Sequence, residues 1–247
     1  MADRPLSLVR EENDPYCLRE DEPGTLLAPS RWRRLVVLGD GRTERRAEHV
    51  DGYGQEPWYD RVADALRAVH PGLAYLNLLG RREQQAADVR SRQLPEALAF
   101  NGDLAVVHLA GHDLLHSAFD TSALGTEIVR IVAPLRESGY DVMLVEPFDL
   151  TQSPCVPPQH EAALRTRQRL QTARSHTLAL RHGALHVDLS ACLPEAAASF
   201  WAGDRITPNG RGHAVAAATV VRALGVHLRA GRVAGRPAFP AVGEGTG

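Results

Sequence analysis

The 247 residues are 44% hydrophobic and 23% charged, enough apolar material for one medium-sized core. A formal net charge of −2 provides no global field to hold nucleic acid or a membrane surface, so neither is the expected partner. Cys17, Cys155 and Cys192 are widely spaced with no C-x-x-C pair, which argues against a disulfide framework and against a thiolate zinc site. The acidic start, Met1 to Glu22, lacks the apolar core of a secretion signal, and no apolar run of about 18 residues is present to span a bilayer. The expectation is a cytoplasmic protein.

Residues 1–30 are polar and interrupted by Pro5, Pro15, Pro23 and Pro29, and read as an extension loosely ordered or draped over the core. The run Leu35-Val36-Val37-Leu38 followed by Gly39-Asp40-Gly41 reads as a buried parallel strand delivering a loop to the carboxyl edge of a sheet. From Trp58, apolar residues at three- and four-residue spacing predict a helix that Pro71-Gly72 ends. Leu73 to Leu78 predicts the second strand, Glu83 to Phe100 a helix, and Leu104 to Leu109 a third strand stopping at Gly111-His112-Asp113. Thr121 to Glu137 predicts a helix capped by Thr121 or Ser122. Asp141 to Val145 is the fourth strand, and Thr151 to Pro158, with three prolines, a surface loop. A long Arg-rich helix around His160 to His182, a short strand Ala184 to Val187 and a helix Pro208 to Leu228 follow. Ala214, Ala217, Ala218, Val221 and Leu224 make the inner face of that last helix.

Strands alternating with helices of this length predict an α/β fold, a three-layer α/β/α sandwich around a five-stranded parallel sheet. The expected division is an extension over 1–30, one domain over 31–229 and a flexible tail over 230–247. Ligands of such folds bind outside the carboxyl ends of the strands, here near Asp40, Asn77 to Arg82 and Gly111 to Asp113.

Four blocks carry a resemblance over roughly residues 13–228. Gly39-Asp40-Gly41, then Asn77 with Gly80 and Arg82, then Gly111-His112-Asp113, then Asp204-Arg205-Ile206-Thr207-Pro208 and Gly212-His213 follow one another in order. The chain resembles the SGNH/GDSL hydrolases of the actinobacterial type, which implies a flavodoxin-like strand order and hydrolysis of acyl esters. In that family the first block is Gly-Asp-Ser, the second an Asn followed five residues on by an oxyanion-hole Gly, the third Gly-x-Asn-Asp and the fourth Asp-x-x-His-Pro. At the matching positions stand Gly41 for the nucleophile, Arg82 for the oxyanion Gly, His112 for the donor Asn and Thr207 for the catalytic His. A serine hydroxyl needs a neighbouring imidazole to accept its proton, and both partners are replaced.

The pocket implied by the resemblance gathers Asp40, Gly41, Arg42, Arg82, His112, Asp204 and Thr207. Arg82 suits a carboxylate or phosphate, and His112 with Asp40 or Asp113 suits proton transfer. His112, Asp204 and Asp40 are the candidate catalytic groups, and Gly41, Arg42, Arg82 and Thr207 the candidate substrate-binding ones. Three readings stay open. One is an enzyme repurposed for acid/base chemistry on a small anionic metabolite. The second is a pseudoenzyme binding a metabolite or a protein. The third is an esterase with a different catalytic set, for which His213 is a substitute base. His112 and His116 have the i, i+4 spacing of a zinc helix but no evident third ligand, so no metal and no cofactor is expected. Asp40 and Asp113 are expected to brace loops through backbone N–H groups, the tryptophans to close the core, and Arg165, Arg167, Arg169 and Arg174 to form a solvated helix face.

Overall fold

The computed structural model describes residues 9–40, 46–79, 84–116, 118–192, 197–204 and 207–233. In chain order these form α1 (Glu22–Leu27), β1 (Arg34–Gly39), α2 (Trp58–Val69), β2 (Ala74–Asn77), α3 (Ala86–Asp88), α4 (Leu94–Phe100) and β3 (Leu104–His108). Then follow α5 (Gly111–Leu115), α6 (Thr121–Glu137), β4 (Asp141–Glu146), α7 (Pro158–Arg181), β5 (Leu185–Asp188) and α8 (Gly210–Val233). The strands make one five-stranded sheet, ordered β2-β1-β3-β4-β5, with every neighbouring pair parallel. This is the predicted α/β architecture and strand order. β1 is central because its residues Leu35 to Leu38 can be buried on both faces, and all four are 0% exposed.

α1, α2 and α8 pack on one another in one layer, and α3, α6 and α7 in the other. α2 turns Trp58, Val62, Ala65 and Leu66 inward, as its spacing predicts, and α8 buries Ala214, Ala217, Ala218, Val221 and Leu224. Trp32, Trp58 and Trp201 are all buried. Residues 9–30 lie against this layer: Cys17 and Leu27 are buried, Arg222 of α8 pairs with Glu22, and Arg211 of α8 pairs with Asp14, which also accepts from Tyr53. No helix among the described residues is long and apolar enough to cross a membrane.

Four details differ from expectation. The helix foreseen over 83–100 is broken, with α3 and α4 separated by a π-helical turn, Val89–Gln93. Pro95 has no N–H to give, so a register shift ahead of it costs little. The cap of α6 is Asp120, which accepts from the N–H groups of Ser122 and Ala123, rather than Thr121 or Ser122. A carboxylate one residue earlier meets both orphan donors and favours the helix dipole. α8 begins at Gly210, two residues after Pro208, and runs to Val233. In the loop after β4, Thr151 and Ser153 are buried, because Asp149 folds the chain into a short 3₁₀ turn over the sheet edge. Glu83 and residues 234–247 lie outside the described residues.

Candidate functional site

β1 ends in Gly39, whose peptide is clamped by the buried Gln93. Its N–H donates to Oε1 at 2.8 Å and its carbonyl accepts from Nε2 at 2.9 Å. Only glycine fits, since a Cβ there would lie 1.9 Å from the His108 carbonyl oxygen. The clamp is what makes the π-helical turn useful, because Gln93 is its last residue. Asp40 follows and its N–H continues the ladder to the His108 carbonyl at 3.0 Å.

The Asp40 carboxyl is buried and its Oδ2 accepts the His112 N–H at 2.9 Å. Its pKa is raised to about 7, chiefly by burial and also by the nearby charges of Asp113 and Glu146, against the lowering by the His112 N–H. Asp113 in turn accepts the Ala86 N–H at 3.2 Å and is raised by its own burial. Both acids thus brace loops as foreseen, tying the end of β1 and the start of α3 to α5. The His112 ring is close enough for its charge to act on both. α5 is held at its start by Ala110, a non-glycine residue at φ 86°, a conformation that costs on the order of 1–3 kcal/mol.

The two groups of the fourth block meet each other instead. Thr207 donates its N–H and its hydroxyl to Asp204 Oδ1, both at 2.9 Å. Among the described residues no hydrogen bond joins this pair to Asp40 or His112. Gly41, Arg42 and Arg82 lie outside the described residues. His213 is a packing residue, not a replacement base. Its Nδ1 accepts the Trp58 N–H at 3.1 Å, and burial lowers it to about 3. His116 falls at the end of α5, where its Nδ1 accepts the Ala118 N–H, so the two histidines do not share a helical face. Among the described residues no three His, Cys, Asp or Glu side chains are placed to hold a metal.

Two groups at the same edge escaped sequence reasoning. His108 ends β3, half-buried, its ring edge-on to Trp58 at 5.6 Å. Its Nδ1 lies 2.9 Å from the Val145 carbonyl. A carbonyl only accepts, so Nδ1 carries the proton and Nε2 keeps its lone pair. Burial lowers the pKa, leaving the ring neutral at pH 7. Nε2 makes no hydrogen bond among the described residues. Glu146 ends β4 at 3% exposure. The available signal was a titratable residue closing an otherwise apolar strand, Leu-Ala-Val-Val-His and Val-Met-Leu-Val-Glu, at the edge where such folds bind ligands.

An open parallel sheet with its polar groups collected at the strands' carboxyl ends is the site architecture of a flavodoxin-like α/β protein. Within that class, the chain belongs to the GDSL-like lipase/acylhydrolase family, whose model matches residues 37–215. A search among curated proteins finds no match. Among solved structures the chain is similar to an acetylxylan esterase from Geobacillus stearothermophilus, with 18% identity, 78% of this chain and 94% of that chain covered, and a TM-score of 0.59. It is also similar to an alpha/beta hydrolase enzyme from the metagenome of Lake Arreo, Spain, with 21% identity, 78% and 95% covered, and a TM-score of 0.60. At these identities the likeness is one of fold.

Proposed function

We propose that this member of the GDSL-like family carries out proton transfer on a small anionic molecule rather than acyl-enzyme hydrolysis. The observation that carries the reading is two groups at the carboxyl ends of adjacent strands with opposite protonation demands. The Asp40 carboxyl is raised to about 7 and the His108 imidazole is held neutral with a free Nε2. Titratable neighbours pushed apart in this way are the pattern of an acid and a base. Asp40 gives a proton, His108 takes one, and His112 fixes Asp40 through its N–H. Asp204 fixes Thr207, which offers a hydroxyl where the family's fourth block has an imidazole. Arg42, Arg82 and the small Gly41 are assigned to the anion from their positions in the sequence.

The hydrolytic alternative lacks its parts. Position 41 has no side chain, Thr207 is no base near neutral pH, and His213 is spoken for by Trp58. Loss of nucleophile or base in comparable triads costs on the order of 10⁶ in rate.

The test has two arms. The wild type should leave p-nitrophenyl acetate intact, while the double variant Gly41→Ser, Thr207→His gains measurable turnover. In D₂O, a panel of small carboxylates and phosphate esters should include at least one whose C–H exchanges by NMR. That exchange should be lost in Asp40→Asn and in His108→Phe, and should fall above pH about 7 in the wild type, as Asp40 ionises. Ester hydrolysis by the wild type, or exchange indifferent to Asp40→Asn and His108→Phe, would overturn the reading.

A further inference from the structure

A second concave site lies away from Asp40, between α7 and the carboxyl ends of β4 and β5. It has a volume of about 800 Å³, within the range that accepts a small organic ligand. One wall is cationic. Arg165 and Arg169 project from α7, Arg165 touching only the Thr151 hydroxyl, and neither pairs with a carboxylate among the described residues. The same lining is also acidic, with Asp149 linked to Arg165 through the Thr151 hydroxyl, and its acidic part is built twice by the same local chemistry. Asp149-Leu150-Thr151 follows β4 and Asp188-Leu189-Ser190 closes β5. In each, Oδ1 accepts the N–H and the hydroxyl two residues on, at 3.0 and 2.6 Å for Asp149 and 2.9 and 2.6 Å for Asp188. In each, Oδ2 makes no hydrogen bond among the described residues.

The floor carries polar atoms with nothing to bond. The His186 side chain is 9% exposed and lines the cavity, and its Nε2 has no hydrogen-bond partner, lying 3.8 Å from Glu146 Oε1. The Thr172 hydroxyl, on the α7 side of the same cavity, is buried without a partner, as is Glu146 Oε2 behind His186. His176 stands edge-on to His186 at 5.3 Å and closes the rim. Two buried polar atoms without a partner therefore belong to residues that line one cavity, and a ligand with polar groups would meet them.

We propose that this cavity binds a free α-amino acid, its carboxylate gripped by Arg165 and Arg169, its ammonium by the free oxygens of Asp149 and Asp188, and its side chain set over His186 and Thr172. The charge layout selects the class. A plain anion would meet two carboxylates, and a plain cation two guanidinium groups, whereas a zwitterion satisfies both signs of charge in the lining. No hydrogen bond among the described residues joins a residue lining this cavity to Asp40 or His108, so the site stands whatever that centre does.

Isothermal titration with the protein amino acids one at a time, on the full chain, should find at least one that binds. The amide and the N-acetyl derivative of that amino acid should each bind about tenfold more weakly or worse, since each deletes one charged contact. Arg169→Glu, at an exposed position, should reproduce the loss, and ¹H–¹⁵N spectra should show the His186 ring shifting on addition of the amino acid. His176→Ala serves as a second variant should Arg169→Glu disturb folding. The proposal fails if no amino acid moves the His186 signals. It also fails if the amide, the N-acetyl derivative and both variants bind as the wild type binds its amino acid.

Discussion

α7 and α8 are both 24 residues long and flank the same sheet from opposite sides, yet they are held by different means. α8 buries a stripe of Ala214, Ala217, Val221, Leu224 and Leu228 against α1 and α2. α7 turns Leu164, Gln168, Gln171, Ser175 and Ala179 inward, while Leu170 and Leu180 stand exposed at 58% and 67%. Gln168 is satisfied, taking the Leu150 N–H and donating to the Phe148 carbonyl, whereas Gln171 donates to Ser175 and leaves its own oxygen unbonded. Apolar burial is indifferent to direction and scales with area. Buried amides and hydroxyls stabilise only in one geometry. The molecule is therefore anchored on the α8 side. On the α7 side it keeps groups with bonds still to make, and that is where the second cavity lies.

The contrast is sharpest in stability. Leu224→Ala in α8 should cost about 3 kcal/mol in urea unfolding, the size expected for a fully buried leucine that leaves a cavity. If it costs under about 1 kcal/mol, α8 is not the anchor. Arg211→Ala should cost about 2 kcal/mol, because the Asp14 side chain it pairs with is 0% exposed and would keep only Tyr53 and the Tyr16 N–H. A pH titration of stability should separate two buried groups of opposite sign. His213 is neutral in the folded state down to about 3 against an ordinary 6.5, so stability falls as pH drops through that window, and His213→Gln should flatten the fall. Asp40 is raised from 3.8 to about 7, so its contribution is complete below about 4 and is lost as pH rises to about 7. Asp40→Asn should remove that loss, and curves for Asp40→Asn and wild type that run parallel from pH 4 to 7 would show the carboxyl to be unshifted. The smallest effect belongs to α7: Gln171→Met, close in volume, should stabilise by up to about 1 kcal/mol by removing an unbonded buried oxygen. A clear destabilisation would mean that the polar stripe is itself the anchor.

The elements were legible where burial is uniform. Continuous apolar runs marked β1, β3 and β4, and three- and four-residue spacing marked α2 and α8, because in these segments one periodicity accounts for all the buried residues. The break at Val89–Gln93 was not legible, since a register shift is decided by what Gln93 reaches, and its target, Gly39, is 54 residues away. In the same way Asp40 and His112 could be nominated from block order, but the bond between them depends on two loops meeting. The packing role of His213 could be read from its place in the fourth block, but the Trp58 N–H that occupies it comes from another helix.

By itself the chain determined its sheet, its layers and its family, since these follow from local apolar pattern and from blocks whose order survives substitution. The tertiary structure alone decided which titratable groups are buried, which keep a free lone pair and which charges line one cavity. His108, Glu146 and His186 are ordinary strand residues until parallel register sets β3, β4 and β5 side by side. Protonation, orientation and unmet hydrogen bonds are properties of surroundings, and those surroundings are assembled from residues far apart in the chain.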